Sequence, residues 1–193
     1  MLRKNRGWSF FHANWGYEES KHSLALGDWL MRSGMRSEEQ MADLESNLYE
    51  HEWNLPHDSP LGMVIYAMVQ ELATFLHYRN LRRHVEREGD PALCELLRLI
   101  GIDERAHHAF YVRVVQLYLQ IDRKSTLEQL KRVLQTFAMP SVHLMADGRQ
   151  RIAAIKALDI FNEHIYLREV YQPVLEALGI QRSELRGLTA ARK

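Results

Sequence analysis

The chain holds a single cysteine, Cys94, in 193 residues, which excludes a disulfide framework and any thiolate-built zinc or iron–sulfur site. Proline is sparse at 5 residues and glycine at 10, and no stretch rich in Pro, Gly or Ser divides the sequence. One domain spanning residues 1–193 is therefore expected. Neither sign of charge is in excess, since 25 Lys and Arg balance 25 Asp and Glu. Nucleic-acid binders carry a basic surplus, so no nucleic-acid partner is expected and any basic docking patch must be local. No apolar run approaches the roughly 20 residues that a bilayer crossing needs. The start leads from Arg3, Lys4 and Arg6 into Trp8, Phe10 and Phe11 rather than into a signal-peptide core. These absences predict a soluble, cytoplasmic protein with no membrane span.

What is present is helical pattern. Apolar residues recur three and four apart between breakers, while strict alternation over a strand's length is rare. The spacing predicts a helix from about Trp8 to Met31, stopped by Ser33-Gly34, and a second from near Ser37, whose Gln40 can complete a capping box, that ends before Asn54-Leu55-Pro56. Asp58-Ser59-Pro60 opens a third, ending near Gly89, and Asp90-Pro91 opens a fourth. A fifth runs from Ser125 to about Ala138, and a sixth from about Asp147 to Leu178, stopped by Gly179. Long helices joined by short turns predict an all-α antiparallel bundle.

Some polar residues do not suit the core of such a bundle. Glu18-Glu19-Ser20-Lys21-His22 on the first helix and Asp103-Glu104-Arg105-Ala106-His107 on the fourth share the pattern acid-Glu-x-x-His, displaced by 85 positions. Residues i and i+3 project from one helical face, so each Glu and His can grip the same metal. Composition alone also allows a solvated face with salt bridges to Lys21 and Arg105. Glu71 stands among Val69, Leu72, Ala73 and Phe75, where a carboxylate needs a positive partner such as a metal ion if it is buried. Carboxylate with imidazole suits iron, with manganese also possible.

These blocks resemble the soluble acyl-acyl carrier protein desaturases. The resemblance covers about residues 13–150: Asn14-Trp15 before the first motif, Gln70-Glu71-Leu72-Ala73-Thr74-Phe75, the second motif, and Met139-Pro140-Ser141-Val142-His143-Leu144-Met145-Ala146-Asp147-Gly148. It implies a ferritin-like bundle with two iron ions in its core. Glu19 and Glu104 would bridge them, His22 and His107 would be terminal ligands, and Glu71 a terminal carboxylate. It further implies that Thr74 serves the oxygen-binding face, that Asp103 orients a ligating imidazole, and that Trp15 delivers electrons. As plain chemistry, Thr74 could equally bond its own backbone carbonyl and Trp15 could be core. The implied activity is oxygen-dependent desaturation of a fatty acyl chain on acyl carrier protein, with a ferredoxin-type electron donor. Met63, Tyr66, Met68 and Phe110 are candidate walls of the acyl slot or plain core, and Arg79, Arg82, Arg83 and Arg87 are a solvated helix face or a landing site for an acidic carrier protein or ferredoxin. A ferritin-like oxygenase on another substrate, and a non-catalytic metal-binding or interaction protein, are the alternatives.

The internal repeat also predicts a further carboxylate. Glu71 precedes Glu104 by 33 positions, so the counterpart for Glu19 should lie 33 to 40 positions upstream, before Met1. Three expectations follow: a chain short by one N-terminal helix, one that borrows a ligand from elsewhere, such as Glu163 or a second subunit, or a degraded site. A bundle short of one helix exposes an apolar stripe, which favours a homodimer.

Overall fold

The computed structural model describes residues 6–52, 54–140, 142 and 145–186, and among these every regular element is helical. Trp53, Ser141, His143 and Leu144, the last three from the fourth block of the resemblance, lie outside the described residues. The first five helices are α1 (Arg6–Arg32), α2 (Glu38–Tyr49), α3 (Pro60–Glu88), α4 (Pro91–Ile121) and α5 (Arg123–Thr136).

Their ends follow the local chemistry. Ser37 Oγ accepts from the Gln40 backbone N–H at 3.2 Å, while the Gln40 side chain accepts from the Ser37 N–H at 3.0 Å, which completes the capping box of α2. Ser59 caps α3 through the Gly62 N–H at 2.9 Å, with Pro60 in the first turn. Asp90 caps α4 through the Leu93 N–H at 2.8 Å, and its other oxygen accepts from Trp29 Nε1 at 3.0 Å, tying the end of α1 to the α3–α4 turn. That turn is sharp because Gly89 adopts φ +82°, a conformation that costs glycine little.

The C-terminal part departs from the expected single helix. It is broken into α6 (Gly148–Ala157), α7 (Glu163–Ile165), a π-helical turn (Tyr166–Tyr171), α8 (Gln172–Leu178) and α9 (Arg182–Arg186). Asp159 sits at φ +50°, which ends α6, and Asn162 restarts the helix by accepting from the Ile165 N–H at 2.9 Å. Pro173 has no N–H to give to the preceding turn, and a widened turn just before it relieves the clash. The second helix ends at Tyr49, before Asn54 as expected.

The hairpin of α3 and α4 is the most closely packed pair, and α1 lies along α4. The larger apolar core joins Ile65, Met68 and Val69 of α3 to Tyr111 and Val115 of α4, Leu130 and Val133 of α5, and Val170 and Val174. A smaller one at the α3–α4 turn gathers Val85, Leu93 and Leu97 with Leu26 and Trp29 of α1. Along α1 and α4 the polar cluster lies between these two cores, so apolar packing shields it from water at both ends.

Candidate metal centre

The two motifs face each other across the α1–α4 contact, with Glu71 of α3 closing a third side. Ligand atoms of Glu19, Glu71, Glu104 and His107 all lie within 4.8 Å of one another. His22 stands beside this group, its Nδ1 3.5 Å from Glu104 Oε1 and 3.9 Å from Glu19 Oε2. All five side chains expected as ligands are thus brought together. Glu163 is not among them: it stands on the surface, paired with Lys156.

Each imidazole is held by the acid of the opposite motif. His22 Nε2–H donates to Asp103 Oδ2 at 3.0 Å, and His107 Nε2–H donates to Glu18 Oε2 at 2.8 Å. An ionised carboxylate can only accept, so these bonds place a proton on Nε2 of both rings and turn Nδ1 toward the carboxylates. His107 Nδ1 lies 3.3 Å from Glu71 Oε2 and 3.4 Å from Glu19 Oε1. Sequence reasoning assigned Asp103 and missed Glu18, although the same 85-residue displacement relates the two.

The remaining residues fall as follows. Trp15 Nε1 donates to Glu71 Oε1 at 3.0 Å, fixing that carboxylate from α1. Thr74 is half-buried one turn beyond Glu71, and no hydrogen bond engages its hydroxyl among the described residues. Lys21 Nζ bonds Asp103 Oδ2 at 3.2 Å. A cavity of about 520 Å³ opens between α1 and α3, with Glu71, Trp15, Met63, Tyr66 and Tyr111 in its wall. Of the other expected wall residues, Met68 is fully buried in the core and Phe110 stacks on Phe11 at 3.5 Å between ring centroids. In the arginine stretch, Arg79 pairs with Glu169 and Arg82 with Glu86, while Arg87 bonds His84 and the Arg83 carbonyl.

Without a cation, the cluster holds protons. Burial, the hydrogen bond to Glu71, and repulsion by Glu71 and Glu19 push the Glu104 carboxyl up to about 10. For His107, burial opposes the charged form, but hydrogen bonds to Glu19, Glu71 and Glu18 outweigh it and raise the imidazole to about 10. Asp103 is also partly desolvated, yet its bonds to His22 and Lys21 hold it below the usual carboxylate range.

The donor set fits a metal. His22 Nδ1 is buried with no hydrogen-bond partner and faces two carboxylates, an arrangement that a shared cation would complete. Mixed carboxylate and imidazole donors suit iron or manganese, and no thiolate is at hand. Fold and site together define an all-α, ferritin-like helix bundle with a carboxylate–histidine cluster between its helices.

The fatty acid desaturase family model matches residues 2–191, and the chain belongs to this family. It is 31% identical to a chloroplastic stearoyl-[acyl-carrier-protein] 9-desaturase 6 of Arabidopsis thaliana, over 94% of this chain and 48% of the relative. A chloroplastic stearoyl-[acyl-carrier-protein] 9-desaturase of Solanum commersonii is 29% identical, over 94% and 47%. Acyl-[acyl-carrier-protein] desaturase 7 of Oryza sativa subsp. indica, also chloroplastic, is 30% identical over 89% and 43%. The chain spans about half the length of these curated relatives. Among the described residues no helix is long and apolar enough to cross a membrane.

Proposed function

We propose that this chain, as a single domain, carries out oxygen-dependent desaturation of a fatty acyl chain borne on acyl carrier protein, at a carboxylate-bridged pair of iron ions. The observation that carries the reading is the mirrored cluster: two Glu/His pairs, each imidazole held by the opposite motif's acid, in a member of the fatty acid desaturase family. The names of the relatives supply the substrate class.

Glu19 and Glu104 would bridge the ions, with His22, His107 and Glu71 as terminal ligands, and manganese is the alternative metal. When bound, the iron pair would supply dioxygen activation and the oxidising power to take two hydrogens from neighbouring methylenes. The chain's own residues do the rest. Asp103 and Glu18 fix the imidazole orientation, so ligand geometry is set before metal arrives. Trp15 holds Glu71 in place and stands between the cluster and the surface, where a ferredoxin-type donor would deliver electrons. The cavity beside Glu71, whose lining is largely apolar, is within the ordinary size of a ligand pocket and would keep an alkyl chain out of water. Thr74, whose hydroxyl makes no hydrogen bond among the described residues, would serve a proton near the reacting face. Acyl carrier protein would dock on a basic surface, with Arg83 and its neighbours on α3 as the candidate. A lone, half-buried Cys94 suits a reducing compartment such as the cytoplasm.

The test is product analysis with acyl-acyl carrier protein, iron, dioxygen and a ferredoxin reducing system. An alkene with stoichiometric dioxygen consumption is expected. Absence of alkene while two iron ions are bound would overturn the desaturase reading, and a hydroxylated product would move the chain to another oxygen-dependent reaction.

A further inference from the structure

Several arginines of this chain, among them Arg79, Arg82, Arg98, Arg123 and Arg151, pair with a carboxylate. Arg182 and Arg186 stand one turn apart on α9 and have no ion pair among the described residues, although like charges at that spacing repel. Both line a cleft of about 280 Å³ where three elements meet. Helix α5, packed against α9, brings Lys131 and Gln135 to the same cleft, and the π-helical turn brings its last residue, Tyr171. Buried Leu134 and Leu185 give it an apolar base. The Arg182 guanidinium lies over the Tyr171 ring, its Cζ 5.3 Å from the ring centroid, so one of the cations rests on an aromatic wall. No Asp or Glu lines the cleft among the described residues. Glu184, the one acid of α9, is committed elsewhere: its Oε2 accepts from Arg123 Nη2 at 2.6 Å and its Oε1 from the Gln181 backbone N–H at 2.9 Å.

We propose that this cleft binds a small organic phosphate monoester, with Arg182, Arg186 and Lys131 around the phosphate oxygens and Tyr171 beside the organic part. Positive charge converges here without an acid to answer it, in a chain whose charges balance overall, so the excess is local and calls for an anion. Guanidinium forks match phosphate oxygens two at a time, and the Gln135 amide adds a neutral donor. A phosphate monoester carries close to two negative charges at neutral pH, which suits several cations better than the single charge of a carboxylate. The apolar base and the tyrosine ring leave room for a small apolar or aromatic group, and the volume, near the lower end for ligand pockets, limits it to about one ring or a short chain. None of these residues lines the cavity beside Glu71, so the cleft is separate from the metal centre and does not depend on the desaturase reading.

The test is isothermal titration calorimetry of the full chain with phenyl phosphate at low ionic strength. One phenyl phosphate per chain is expected, and phenyl sulfate, similar in shape but singly charged, should bind at least about tenfold more weakly. Arg182→Gln and Arg186→Gln should each weaken phenyl phosphate binding at least about tenfold. Both arginines are exposed, so these variants should fold as the wild type does, which circular dichroism checks. Arg149→Gln, which removes an exposed arginine on α6, should leave binding unchanged. Inorganic phosphate should bind more weakly than phenyl phosphate, and Tyr171→Leu should narrow that gap. Absence of saturable binding, equal affinity for phenyl sulfate, indifference to Arg182 and Arg186, or an equal loss in Arg149→Gln would each overturn the proposal, and equal affinities for the two phosphates would remove Tyr171 from it.

Discussion

The acid-Glu-x-x-His motif occurs twice, and its two copies live in different surroundings. On α4 the Glu104 side chain is 3% exposed, whereas on α1 its counterpart Glu19 is 38% exposed. The cause lies outside the motif. Helix α4 is packed between α3, α5 and the C-terminal helices, while α1 is backed by α4 and borders an open cavity. The motif sets which atoms can bind a cation, and the neighbouring helices set how much water those atoms lose. Glu104, deprived of water and crowded by Glu71 and Glu19, therefore keeps a proton that a metal must displace.

That asymmetry can be broken experimentally. The largest effect is expected from Glu104→Ala, which removes the buried carboxylate proposed to bridge the ions and should lower iron affinity by more than about 100-fold, read by anaerobic iron titration. Unchanged affinity would remove Glu104 from the site. Next come Glu18→Gln and Asp103→Asn, each expected to weaken metal binding by about 10- to 100-fold, because each releases one imidazole. If only the Asp103 variant responds, the mirrored description of the two motifs fails.

A pH series separates the motifs further. Glu104 rises from its ordinary 4.5 to about 10, and His107 from 6.5 to about 10. The folded, metal-free chain thus holds protons that the unfolded chain releases. The stability contributed by these groups is complete below their unfolded values and is lost as pH climbs toward about 10. Thermal unfolding of the metal-free chain should accordingly fall in midpoint between pH 7 and 10. Glu104→Gln should flatten that slope most, and Glu19→Gln should flatten it less, because Glu19 acts on it through the hydrogen bond to His107 and the repulsion of Glu104. The smallest effect is assigned to Trp15→Phe, which gives up the bond to Glu71 and should cost about 1 to 2 kcal/mol of stability by urea unfolding.

Much of this was legible in the sequence because it rests on local chemistry. Ser37 with Gln40, Ser59-Pro60, Gly89 and Asp90-Pro91 mark helix ends by side-chain or backbone requirements that act within four residues, and the structure puts the helix ends there. The i, i+3 spacing likewise brings Glu and His to one face wherever the helix goes. Elsewhere the signals competed. Residues 147–178 read as one helix because their apolar spacing runs on, yet Asn162 and Pro173 each ask for an interruption, and the chain makes both. Glu18 was passed over since Glu19 carried the ligand pattern; only the partner across the α1–α4 contact reveals its bond to His107. The unequal exposure of Glu19 and Glu104 was invisible for the same reason, being a property of what packs around each helix.

The central claim is that the two motifs together hold a pair of metal ions. Anaerobic titration of the metal-free chain with ferrous iron, followed by Mössbauer spectroscopy and by proton release, tests it most directly. Two ions per chain, bound with release of protons at neutral pH, are predicted. Binding of no iron, or of iron without any change at Glu104→Ala, would contradict it.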